Sequence, residues 1–297
     1  YEHLINQQTQ TMRKTLFSGI AACLLATAAT AAEQSPSVIW TVGQADRSAS
    51  EFALAPDRFR DFLANDFGYE DKYFLVGHSV PAADFPYVLP GPADTWGGTW
   101  PTSGWRTHQV NILFGLKEIP SDGTCTLVVD LLDYAKNFLP LVKVSVNTQD
   151  AKFQLDAPGL CVADQRKPNQ MEKIVDTLSI TGNLAKATPR RLEIPIRPGV
   201  LKAGGNEVTI TVLEGSWILF DRVSLEGPAG TNVEQPQQLF IRNIEAAPYE
   251  LADGKRRVQP LLVDLEWLEG APALSVELDD KEILNQRIET GRYQLEA

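Results

Sequence analysis

The stretch Gly204-Gly205-Asn206-Glu207-Val208-Thr209-Ile210-Thr211-Val212 decides the fold class. Two glycines and an asparagine open it as a turn. Val208, Ile210 and Val212 then alternate with Thr209 and Thr211. Side chains two apart share one face of a strand, so such a run buries one face and solvates the other. The same pattern recurs upstream, where Val142, Val144 and Val146 alternate with Lys143 and Ser145, and Leu192, Ile194 and Ile196 with Glu193 and Pro195. Leu127-Val128-Val129 is apolar on both faces and reads as a central strand. Turn residues at Ser121-Asp122-Gly123 and from Asp156 to Gly159 separate the runs. Short alternating strands with this punctuation predict an all-β sandwich, not a βαβ fold. One helix is expected after Pro56-Asp57, with Phe59, Phe62 and Leu63 at i, i+3 and i+4. The segment from Cys161 to Arg190 has no clean period and reads as a long loop with a helical turn.

Residues 37–228 make up this sandwich, and the Gly, Pro, Asn and Gln of residues 229–238 read as a linker. Alternation then restarts over residues 239–297. Val263, Leu265 and Trp267 alternate with Asp264 and Glu266, a solvated outer face, and Leu274, Val276 and Leu278 alternate with Ser275 and Glu277. Asp279-Asp280-Lys281 turns the chain into Ile283 and Leu284. About four strands are fewer than an immunoglobulin sandwich needs. The expectation is a small or truncated immunoglobulin-like β domain in a protein that continues beyond it.

Met12, Arg13-Lys14, the apolar run Leu16–Ala28 and Ala29-Thr30-Ala31 follow in the order of a secretory signal. Residues 12–31 are therefore expected to be removed, and residues 1–11 to be upstream sequence outside the native chain. Cys23, behind Ile20-Ala21-Ala22, offers a lipoprotein variant with a shorter apolar run. The expected location is secreted or periplasmic, with no membrane span. The formal charge of the chain is -11, and no Lys/Arg-rich run counters it. Nucleic acid and anionic membranes are poor partners for such a chain. Two cysteines, Cys125 and Cys161, remain after cleavage. In an oxidising compartment they can form a disulfide or stand as two buried thiols, and no metal-ligand spacing involves them.

Several stretches, in order, resemble the C-terminal, carbohydrate-binding-module-like domain of polysaccharide lyase family 4, the rhamnogalacturonan lyases. They are the opening strand Trp40–Ser48, Tyr73–Ser79 followed by Asp84-Phe85-Pro86, and Val110–Phe114 with Thr124–Leu131. Val142–Asn147, Leu201–Val208 and the closing strand Phe220–Glu226 complete the set. The resemblance implies a β jelly-roll and association with a polysaccharide or oligosaccharide. In that family the lyase active site lies in another, N-terminal domain, which is not expected here if the signal leads directly into the jelly-roll. The tail, through Gln259–Asp264 and Leu274-Ser275-Val276, is similar to the immunoglobulin-like piece preceding a catalytic domain in α-mannosidase-like glycoside hydrolases. It implies a downstream catalytic domain of the same chain, for which this region is a carbohydrate-binding accessory or, alternatively, a structural spacer.

No catalytic residue is assigned. His78 and His108 are in no motif that sets a base beside a nucleophile or an acidic proton. The segment Trp96-Gly97-Gly98, Trp100-Pro101 and Gly104-Trp105 carries three tryptophans and is too broken by Gly and Pro for a strand interior. Indoles in such a loop suit stacking against the apolar faces of sugar rings, and the flanking Asp94 and Arg106 suit bonds to hydroxyls. The competing role for these tryptophans is to plug the end of the sandwich, as expected of Trp40 and Trp217 within strand patterns. No cofactor is expected. A structural calcium is compatible with a jelly-roll, though no ligand spacing marks one.

Overall fold

The computed structural model describes residues 37–69, 71–98, 108–119, 124–156, 178–270, 273–278, 280–287 and 289–296. These lie within one compact unit, Gln34–Ala297. In chain order its first strands are β1 (Ser37–Gly43), β2 (Tyr73–Leu75), β3 (Val88–Leu89), β4 (His108–Leu116) and β5 (Cys125–Tyr134). Then come β6 (Leu141–Val146), β7 (Gln149–Gln154), β8 (Arg190–Ile196), β9 (Gly204–Glu214), β10 (Ile218–Gly227) and β11 (Val233–Glu234).

One sheet has the order β1-β10-β5-β8, with β3 added to β10. The other has the order β11-β4-β9-β6-β7, with β2 paired in parallel to β4. Along the chain β1, β5, β8 and β10 of the first sheet interleave with β4, β6, β7 and β9 of the second. Among the described strands of these two sheets, only β6 and β7 form a hairpin within one sheet, closed by Asn147 and Thr148, with Asn147 at φ 48°. Strands that otherwise change sheet at each step are the winding of a jelly-roll. The alternating residues meet between the sheets, where Val142, Val144, Val208 and Ile210 are wholly buried against Leu127, Val129, Val223 and Leu225. Trp40 and Trp217 are buried there too. Pro195 sits on β8, an edge strand, where a missing N–H costs least.

The expected helix after Pro56 is instead two short 3-10 turns, Phe59–Asp61 and Leu63–Asn65. Phe59 and Phe62 are still buried, so the apolar spacing marked burial while the α-helical period was not realised.

Two of the motifs that carry the resemblance are structural devices. Gly43 has φ +79°, and a side chain there would strike the Phe52 ring and come within 2.6 Å of the Asp221 carbonyl. Asn206 is buried, and its amide donates to the carbonyls of Lys202 (2.8 Å) and Gly204 (2.9 Å). Its oxygen accepts from the Lys202 N–H (3.0 Å) and the Asn147 side chain (2.8 Å). Asn147 in turn donates to Val200 O and accepts from Glu207 N. The two asparagines thus clasp the β6–β7 turn to the start of β9.

The described residues of the tail form seven strands, more than its alternation suggested: β12 (Leu239–Ala246), β13 (Leu251–Asp253), β14 (Arg256–Val258), β15 (Leu261–Trp267), β16 (Ala273–Leu278), β17 (Lys281–Arg287) and β18 (Gly291–Glu296). The order β12-β15-β18 forms a sheet, and β13-β14 and β16-β17 are hairpins. The extra strands are short and exposed, so they carry little periodicity. Val263, Leu265, Trp267 and Leu274 form the small core of the tail.

Contacts run on from the sandwich into the tail. Val233 and Glu234 pair with Leu116 and Gly115 of β4. Phe240 packs with Leu75 and Leu113 on the outer face of the second sheet. Glu266, on the strand face that alternation marks as solvated, is 1% exposed. Its Oε1 accepts from Nε of Arg242 at 2.5 Å, with Nη2 equally near, and the Tyr73 hydroxyl also hydrogen-bonds this carboxyl. The strand alternation set its face correctly; the face is covered because the sandwich packs against it.

Candidate functional site

Three loops meet at one end of the sandwich: residues 91–98 after β3, 135–140 between β5 and β6, and 215–217 between β9 and β10. Asp94 is buried and acts within the protein. Its carboxylate accepts from the Gly91 N–H (2.8 Å) and from the Ser216 hydroxyl (2.5 Å). The Ser216 N–H donates to Phe138 O at 2.9 Å, and the Ala93 N–H donates to Gly215 O at 2.9 Å. Each loop is therefore fixed by backbone or carboxylate bonds to its neighbour.

Trp96 is half-buried. Its ring lies edge-on to Phe59 (5.0 Å, 76°) and Phe62 (6.2 Å, 86°), in contact with the sandwich core. His108, the first residue of β4, is buried and donates from Nε2 to Gly97 O. Trp100, Trp105 and Arg106 lie outside the described residues. Of the five candidates, then, Asp94 and Trp96 come together at the base of the loop, both in supporting positions.

The sequence reading passed over Phe138. Its side chain is 56% exposed on the loop that Ser216 holds. The signal was present: Asn137-Phe138-Leu139-Pro140 sets an aromatic in a turn between two apolar strands, where neither strand's period calls for it. Beneath this loop, Lys136 lies over the Tyr134 ring (3.2 Å to its centroid) and bonds Asp133 at 2.9 Å. Burial pushes the Lys136 amine down, against the pull of Asp133. Asp133 also accepts from the Ser179 hydroxyl (2.6 Å) and the Thr188 N–H (3.0 Å), which ties in the chain beyond residue 177.

His78 is exposed and His108 buried at the loop base. Asp264 and Glu266, the two carboxylates on one strand face, are each held by an arginine. Burial alone would raise Asp264, but the bonds and charge of Arg292 hold it below the ordinary carboxylate range. Glu266 is raised, chiefly by burial. Cys125 is a buried free thiol, pushed up by burial, and Cys161 lies outside the described residues. Among the described residues no group of three or more His, Cys, Asp or Glu could hold a metal. No helix among them is long and apolar enough to cross a membrane.

The sequence profile described as CBM-like, polysaccharide lyase family 4, domain III, matches residues 38–225. No curated protein matches. A solved family GH115 4-O-methyl-α-glucuronidase, with specificity for decorated arabinogalactans, is similar at 15% identity and a TM-score of 0.22. The similarity covers 44% of this chain and 15% of that one, so the chain spans a small part of that enzyme, and no argument rests on it.

Proposed function

The chain belongs to the CBM-like, domain III family of polysaccharide lyase family 4, and from that premise we propose that it is a non-catalytic carbohydrate-binding accessory region of a secreted polysaccharide-degrading protein. Its ligand is a polysaccharide or oligosaccharide, and its working partner is a downstream catalytic domain of the same chain. The order of Arg13-Lys14, the apolar run and Ala29-Thr30-Ala31 supports export.

The observation that carries the binding reading is at the loop end of the sandwich. Exposed Phe138 stands on a loop that Ser216 joins to the base of the tryptophan segment. An aromatic on a backbone-anchored loop needs no loop ordering when a sugar ring stacks on it, and aromatic contacts contribute about 0.5–1.5 kcal/mol each. In this reading Asp94, Trp96 and His108 hold the base. Phe138, Trp100 and Trp105 stack, and Arg106 bonds hydroxyls. The test is affinity electrophoresis or calorimetry over a polysaccharide panel, comparing the parent with Phe138→Ala and Trp100→Ala.

A further inference from the structure

A cleft of about 250 Å³ lies on the outer face of the second sheet, where the tail meets it. Its sandwich wall carries Ser145 and Thr209, which are register partners on β6 and β9. The Thr209 hydroxyl donates to Asn111 Oδ1 at 3.3 Å on the next strand, so its lone pairs remain for a ligand. The tail wall carries Asp264 and Arg292, joined by two parallel bonds of 3.0 and 2.7 Å. Their side chains are 22% and 34% exposed. This is a flat, rigid fork whose unused N–H groups and lone pairs can meet a ligand. The buried Leu113 and Phe240 also line the cleft.

We infer that this cleft is a second saccharide site, built jointly by sandwich and tail, that takes a single neutral glycosyl unit. Three observations select that ligand. The Ser145 and Thr209 hydroxyls and the fixed Asp264–Arg292 pair together match the hydroxyls of a sugar ring. The volume falls below the roughly 300–1,000 Å³ of sites for drug-sized ligands, which suits one ring. The two arginines of the cleft are already paired with carboxylates, Arg242 with Glu266 and Arg292 with Asp264, whereas the exposed Lys202 bonds only the neutral Asn243 side chain at 3.0 Å. Glu207 adds a carboxylate that is 43% exposed, 3.7 Å from Arg242. At either arginine a uronate would have to displace a protein carboxylate, with Glu207 beside it, so neutral sugars bind there in preference.

The cleft also depends on the close seating of the tail. A side chain at Gly205 would strike the Ile241 carbonyl, so only glycine lets β9 and β12 approach this far. The inference rests on the reading of the chain as a carbohydrate binder and adds a site and a ligand class to it.

The test is an amide-resolved NMR titration of the full chain with neutral monosaccharides and disaccharides and with the matching uronates. Saturable shifts at Ser145, Thr209, Asp264 and Arg292, weaker for uronates, are expected. Thr209→Val and Ser145→Ala, which change little volume, should each weaken binding about two- to tenfold, one hydrogen bond's worth, with thermal unfolding unchanged in Ser145→Ala and slightly lowered in Thr209→Val, which also loses the bond to Asn111. Phe138→Ala should leave these shifts in place. Polysaccharide binding by the parent with no sugar-dependent shifts in the cleft would overturn the second site while leaving the loop-end reading intact. Stronger shifts with uronates would overturn the ligand class. Failure of every sugar and polysaccharide to bind the parent would remove both readings together.

Discussion

Nε2 of His108 donates to the carbonyl of Gly97 at 2.5 Å, so the residue that begins β4 holds the chain where the tryptophan segment leaves the sandwich. A carbonyl only accepts, which fixes the proton on Nε2. His108→Ala would leave a buried carbonyl unpaired, at a cost of about 1–3 kcal/mol. The expected outcome is that loss in urea unfolding, together with weaker polysaccharide binding at fixed temperature. A destabilised variant with parental affinity would show that the loop base does not support binding.

The clasp between Asn206 and Asn147 gives a second prediction. Asn206→Ala removes four hydrogen bonds at a buried site and leaves Lys202 and Gly204 backbone groups without partners. A loss of about 2–4 kcal/mol is expected, measurable by denaturant unfolding. Asn206→Asp should also destabilise, because a carboxylate cannot donate to the two carbonyls.

Much of this was legible in the sequence because burial in a sandwich has the period of the strand. Val142 to Val146 and Val208 to Val212 show their inner faces directly, and Trp40 was rightly placed in the core. The jelly-roll winding came from the family resemblance, since alternation says which face is inside and not which strand is next door. Glu266 was out of reach for the same reason: a carboxylate between Leu265 and Trp267 looks solvated until another surface is known to cover it. Asp94 showed its polarity but not its direction, and only the Ser216 loop reveals that it points inward. Phe138 was legible and overlooked.

Breaking the buried ion pair between Arg242 and Glu266 should unseat the tail. Arg242→Ala leaves Glu266 as an unpaired buried carboxylate, which costs about 3–5 kcal/mol. Residues 229–238 should then become the first site of proteolysis. Replacing both partners together, as R242M with E266L, should recover most of the stability. If R242A alone is neutral in unfolding and proteolysis, the pair does not hold the tail.

Burial, reinforced by the nearby charges of Asp46 and Asp130, pushes the Asp221 carboxyl up to about 6, against the N–H groups of Arg47 and Ser48. In the unfolded chain an aspartate titrates near ~3.9. Between about pH 4 and 6 the folded protein therefore binds more protons, and its stability rises as pH falls through that window. Asp130 and Asp264 act in the opposite sense, because their arginines hold them below the ordinary range. What they contribute is present above about pH 4 and is lost below it. Asp221→Asn should reduce the rise between pH 6 and 4 by on the order of 1–3 kcal/mol, leaving the part due to Glu266, which burial also raises. An unchanged slope in denaturation curves across that range would contradict this.

Calorimetric titration of the full chain against a broad polysaccharide panel, beside Phe138→Ala, Trp100→Ala and the double variant, tests the central claim most directly. The account predicts saturable binding of at least one polysaccharide by the parent. Each single variant should bind more weakly, and the double variant about tenfold or more weakly, with thermal unfolding unchanged. Parental affinity in a folded double variant would show that the loop end is not the site, and no binding by the parent anywhere on the panel would make the region a structural spacer.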